Sequence, residues 1–84
     1  MSSATELIAA IAATKHTLFN QIQRLSDYES KLERLLVDVN TTLKGSESGI
    51  DHKLTGDIQQ TSQKVSETIA SLQNAIAMLD SIRI

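Results

Sequence analysis

Histidine and acidic side chains are the residues in this sequence that could bind a metal or transfer protons. The two histidines, His16 and His52, lie on opposite sides of a mid-chain break, and no cysteine accompanies them. They would not face each other across a hairpin, and a structural zinc site needs four ligands. We therefore predict no metal site and interpret both histidines as surface or capping residues.

The closest acidic pairs are Asp27 with Glu29 and Glu47 with Asp51. Acid–base catalysis requires such carboxylates to converge in a desolvated cleft, and a pair of long helices offers none. We interpret these charges as a solvated face. The prediction is a protein that is not an enzyme, with no cofactor and no small-molecule substrate.

Composition also narrows the class of partner. The net charge of −2 comes from 8 basic and 10 acidic residues spread along 84 positions, without the basic run that binds a nucleic-acid backbone. Phe19 and Tyr28 are the only aromatic residues, so a platform for stacking bases is absent. We predict a protein partner and exclude nucleic acid.

The N-terminal residues indicate neither a secretory signal nor a membrane span. They lack a basic region, and the apolar run from Leu7 to Ala13 ends at Thr14-Lys15-His16, which is too short to cross a bilayer. We expect a cytoplasmic protein without membrane insertion. Any export would proceed without a cleaved signal peptide, as part of a complex.

A long amphipathic helix is predicted over about residues 3–43. Ser3 and Glu6 have the spacing of a capping box, and apolar residues then recur with alternating steps of four and three, which is typical of a coiled-coil seam. These seam residues are Ile11, Leu18, Ile22, Leu25, Leu32, Leu36, Val39 and Leu43.

Lys15 and Glu29 occupy the two remaining seam positions of this helix. A polar residue in a seam can fix the register or select the partner at a cost in stability. Alternatively, the aliphatic stems pack in the seam while the charges reach water. Both interpretations remain open at the level of the sequence.

A turn is predicted at about residues 44–50, where Gly45 and Gly49 flank small polar residues. Gly45 could adopt the left-handed conformation that ends many helices, and Ser48 or Asp51 could cap the next helix. A second helix is expected over about residues 51–82. Its seam continues the same spacing through Ile58, Ser62, Val65, Ile69, Leu72, Ile76, Leu79 and Arg83.

The predicted fold is all-α: one domain over residues 1–84, forming an elongated, antiparallel, coiled-coil-like hairpin of two helices. If both helices run straight from the turn, residue i lies opposite about residue 94 minus i. Leu18, Ile22 and Leu25 then meet the three apolar residues Ile76, Leu72 and Ile69. A first helix of about 40 residues would be about 60 Å long.

Beside the turn, the same register predicts an uncovered patch on the first helix. The facing segment, residues 55–62, has Ile58 as its one large apolar residue, and leaving leucines in water is costly. We expect a partner, or copies of the chain itself, to complete a bundle there and at the C-terminal end of the hairpin. The predicted partner-binding residues are Leu32, Leu35, Leu36, Val39, Ile69, Leu72, Ile76, Leu79 and Ile82.

In size and pattern the chain resembles the small helical-hairpin proteins of bacterial type VII secretion. The spacing of Leu18, Ile22, Leu25 and Leu32, and that of the ending Ile69, Leu72, Ile76 and Leu79, is similar to accessory proteins of LXG-type toxins. The resemblance implies a non-enzymatic, chaperone-like partner. It would pack on the N-terminal helices of such a toxin and help to present it to the secretion machinery.

The sequence departs from WXG relatives in two respects. It has no tryptophan in the turn, where Gly45 and Gly49 remain, and its end lacks an aromatic residue followed four positions later by an acidic one. Export competence would therefore come from the partner. Two other classes stay open: a needle or rod subunit of type III secretion, and a coiled-coil subunit of an intracellular scaffold.

Overall fold

The computed structural model describes residues 3–44 and 49–82 and consists there of two long helices. Helix α1 spans Ser3–Thr42 and helix α2 spans Ile50–Asp80. They run antiparallel and pack along their length, so the predicted all-α hairpin is confirmed. The helices end one or two residues earlier than expected, and α2 begins one residue earlier.

Glycine marks the start of α2. Gly49 is the N-terminal cap, with φ of 74° in the left-handed region, and as a glycine it has no side chain that could accept a capping hydrogen bond. Of the two expected caps, Ser48 lies outside the described residues and Asp51 is the second residue of the helix. Gly45, the expected C-terminal cap of α1, also lies outside the described residues. The backbone freedom of glycine therefore sets the start of α2.

The half of the hairpin nearer the turn has a small aliphatic core. Leu32, Val39, Ile58 and Val65 are buried together, and each is a seam residue of its helix. Half-buried seam residues of both helices pack against this cluster, namely Leu25, Leu36, Leu43 and Ile69. Ile76 is a further buried residue, nearer the end that is remote from the turn. The seams read from the sequence thus form the helix–helix contact.

The prediction that the segment from Leu32 to Val39 is uncovered is wrong for its two end residues. Leu32 is 7% exposed and Val39 is 9% exposed in the hairpin itself. Only the seam positions of α2 face α1, so the polarity of the intervening residues does not matter. Thr55 and Ser62 are small and half-buried there, which leaves room for large side chains to enter from α1.

Two polar contacts fix how the helices align. Lys15 Nζ lies 2.7 Å from Asp80 Oδ1, and the Ser66 hydroxyl donates a hydrogen bond to the Glu29 carboxylate. The expected register placed Leu79 opposite Lys15 and Val65 opposite Glu29. Lys15 and Glu29 therefore each bond to the residue that follows the expected one. This shift is explained if the aliphatic stem of each side chain lies in the seam while its charged end turns out toward water.

The molecule is a rod. Its principal extents are 69 × 15 × 13 Å and its radius of gyration is 19.4 Å, whereas a compact domain of this length would have a radius of gyration of about 12 Å. A rod two helices wide can cover each helix on one side only. The remaining sides of both helices face solvent.

Candidate functional site

A groove lies between the helices at the end remote from the turn. Its first hollow has a volume of about 300 Å³ and its second about 320 Å³. We call the two together the open-end groove. Apolar side chains from both helices form most of its wall, and Asp80 lines both hollows. The remaining lining residues are Ile8, Ile11, Ala12, Lys15, Leu79 and Ile82 in the first, and Phe19, Ile22, Gln73, Ile76 and Ala77 in the second.

The Lys15–Asp80 ion pair lies within this groove. The side chain of Lys15 is 31% exposed and that of Asp80 is 56% exposed, so solvent screens the pair and it contributes little to stability. It nevertheless joins the two helices across the groove and gives an apolar surface one polar feature. An incoming helix could use this feature to set its position.

The residues that line the groove also show which heptad positions of α1 and α2 lie side by side. In heptad notation the seam positions are a and d, and positions e and g flank them. Ala12 and Phe19 are e residues of α1, and they share hollows with the α2 e residues Gln73 and Asp80. The e flanks therefore meet on the groove side of the hairpin. The g flanks of the two helices must meet on the opposite side.

The surface formed by the g positions carries no charged residue over the described helices. We call it the uncharged flank. Its large side chains are exposed although they are apolar or aromatic. The g residues are Leu7, Thr14, Gln21, Tyr28, Leu35 and Thr42 on α1, and Leu54, Thr61, Thr68 and Ala75 on α2.

Three threonines of the uncharged flank already have a hydrogen-bond partner. The hydroxyls of Thr14, Thr61 and Thr68 donate to the carbonyl oxygens four residues earlier in their own helices, at 2.9, 3.0 and 2.9 Å. These hydroxyls would not lose a partner if water were removed from the flank. Their methyl groups then behave as apolar surface.

The predicted partner-binding residues divide among several environments. Ile76, Leu79 and Ile82 line the open-end groove, although Ile76 itself is buried. Leu35 is exposed on the uncharged flank. The other five belong to the seam, where Leu32 and Val39 are buried and the rest half-buried: Leu36, Ile69 and Leu72.

The α1 side of the groove was not among the predicted binding residues. Ile8, Ile11, Phe19 and Ile22 form it together with Ala12 and Lys15. The signal that could have identified it is Phe19, an apolar residue outside the seam that is 57% exposed. A large aromatic side chain at a flanking position indicates a contact beyond the two-helix seam.

Metal clusters and membrane-spanning helices were sought in the part of the chain that the structure describes. Within residues 3–44 and 49–82, no three or more histidine, cysteine or acidic side chains come together as a metal site would require. Across the same residues, neither helix has a stretch long and apolar enough to cross a membrane.

Comparison with known proteins gives no relative from which a role could be transferred. No family model matches the chain, and no curated protein or solved structure matches it significantly.

Proposed function

We propose that this protein is a non-enzymatic interaction protein that packs on the N-terminal helical domain of an LXG-type toxin of type VII secretion. It would act as an accessory factor that keeps those helices covered and presents them for export. The hairpin stays with the toxin until export, and the complex rather than the hairpin carries the export signal. This assignment rests on the family resemblance of the helical pattern and on the open-end groove.

The groove is the observation that carries the proposal. A helix binds in an apolar groove through side chains three and four residues apart that enter successive hollows. The open-end groove offers two such hollows in a row, walled by Ile8, Ile11 and Leu79 in one and by Phe19 and Ile22 in the other. A long toxin helix could lie along the rod there and bury these side chains.

The proposal predicts that Phe19→Glu weakens binding of the toxin helices by at least about tenfold, because a charge would replace an aromatic anchor in the contact. Phe19 is exposed in the hairpin, so the variant should keep its helical circular dichroism. The measurement is isothermal titration of the hairpin with the N-terminal helical domain of an LXG-type toxin encoded by a neighbouring gene.

Val37→Glu is the matched control. Val37 is 62% exposed, does not line the groove and lies in the half of α1 nearer the turn. Its replacement should leave the affinity unchanged. If wild-type protein fails to bind such a domain, or if both variants weaken binding equally, the open-end groove is not a toxin-binding site.

A further inference from the structure

We propose that the uncharged flank is the contact surface between two copies of this chain, which pair along their length as a four-helix bundle. This surface lies on the opposite side of the hairpin from the open-end groove. The proposal therefore does not depend on the proposed function, and each groove stays open in the pair. Apolar residues at a, d and g are the pattern of helices that pack on more than one neighbour.

Much of the flank can lose its water at little cost. It has no charge to desolvate, and the hydroxyls of Thr14, Thr61 and Thr68 are bonded within their own helices. Burial of Leu7, Leu35 and Leu54, which the hairpin leaves exposed, would be favourable. Dehydration of this flank thus removes apolar surface from water without leaving those hydroxyls unpaired.

The large and small side chains of the flank are arranged so that two copies of the surface could fit together. In the register set by the two polar contacts, Tyr28 and Leu35 of α1 lie level with Thr68 and Thr61 of α2. The flank therefore has a ridge of two large side chains beside a shelf of two small ones. A two-fold axis parallel to the rod places the ridge of each copy on the shelf of the other, with both turns at the same end.

The hairpin exposes enough surface to form an interface of ordinary size with a second copy. The chain exposes 6455 Å², whereas a compact monomer of 9.2 kDa would expose about 4,900 Å². The excess is roughly 1,500 Å². A stable interface of ordinary size buries about 800 Å² on each partner, so pairing would remove about half of the excess area and leave the groove accessible.

The absence of charge on this flank removes one obstacle to pairing with a second copy. Two identical surfaces repel each other when they are charged, and the uncharged flank avoids this cost. At its rim, Lys31 would come near Lys64 of the other copy. These two lysines repel each other, as do Asp38 and Asp57, which meet in the same register, but all four side chains are exposed and charge pairs at such positions change the free energy by less than about 1 kcal/mol.

The test is sedimentation equilibrium of the full chain over a range of concentrations. We expect the wild type to form a species of twice the 9.2 kDa chain mass. The double variant Tyr28→Glu/Leu35→Glu should weaken pairing by at least about 100-fold, since it buries charges without partners at the centre of the contact. Circular dichroism of the variant should remain helical, because both side chains are exposed in the hairpin.

Phe19→Glu and Val37→Glu serve as controls that should pair like the wild type, since neither lies on the uncharged flank. The chain has no cysteine, so a spin label on Val37→Cys reports the arrangement. With both turns at one end, the two labels should lie within about 30 Å, because neighbouring helices of a bundle are 8–10 Å apart. A wild type that stays monomeric, a double variant that still pairs, or a label distance of about 45 Å, which turns at opposite ends would give at 1.5 Å per helical residue, would overturn the proposal.

Discussion

At the residue scale, the informative positions are the polar ones within an apolar seam. Glu29 is half-buried and bonds to a serine on the facing helix, while Lys15 reaches an aspartate. Both contacts cross from α1 to α2, so these residues help to align the two helices of one chain. A role in selecting between partners stays a prediction.

Glu29→Leu should raise the free energy of unfolding by about 1 kcal/mol, because a leucine at a half-buried seam position adds apolar burial that exceeds the loss of one exposed hydrogen bond. For a chain of this length the melting temperature should rise by about 4–8 °C. Thermal circular dichroism at a fixed protein concentration measures this.

Glu33→Leu supplies the comparison for that change. Glu33 is an exposed residue on the same helix, and its replacement should alter the melting temperature much less. If Glu29→Leu lowered the melting temperature, the bond to Ser66 would be worth more than the apolar burial.

At the element scale, two glycines have opposite roles in α2. Gly49 has positive φ and begins the helix, whereas Gly56 lies inside it. A β-carbon added at either position meets no atom within 4 Å. The two glycines therefore differ in backbone conformation and not in the space available for a side chain.

Gly56→Ala should stabilise the protein by roughly 0.5–1 kcal/mol, since alanine loses less backbone freedom in a helix. Gly49→Ala should destabilise it by about 1 kcal/mol, because an L-residue in the left-handed region brings its β-carbon close to the following carbonyl oxygen. Urea unfolding of both variants and of the wild type measures whether each substitution raises or lowers the free energy of unfolding. Equal effects of the same sign would show that the start of α2 does not depend on the conformation of Gly49.

At the scale of the whole molecule, a few aliphatic residues hold a rod together. The core cluster lies in the half of the contact nearer the turn, and none of its side chains is completely shielded from solvent. Small domains with so little core are only marginally stable. Pairing through the uncharged flank would raise the free energy of unfolding, because only folded chains pair.

Leu32→Ala should destabilise the hairpin by about 2–4 kcal/mol, because it removes a buried side chain from the core cluster. Leu35→Ala, three residues along the same helix, should cost less than about 1 kcal/mol in the single hairpin because Leu35 is 46% exposed. Chemical unfolding at low protein concentration, where pairing is weak, compares the two. Equal costs would mean that the Leu32 side chain is not part of a specific core.

Local patterns in the sequence were enough to predict the two helices, their seams and the hairpin. Four-three spacing of apolar residues leaves one surface on each helix to bury, and glycines with small polar residues between two such stretches indicate a turn. Both signals are local. Phe19, Tyr28 and Leu35 are large side chains that do not fit the four-three spacing.

Which apolar residues stay exposed depends on how the two helices pack, and this could be seen only in the folded structure. Leu32 and Val39 are covered because the small residues Thr55 and Ser62 let the helices approach, and this depends on which positions of α2 face α1. The open-end groove likewise needs both helices, since Phe19 and Ile76 are 57 positions apart in the chain yet line one hollow. Helix periodicity is encoded locally, but accessible surface depends on the register and packing of the two helices.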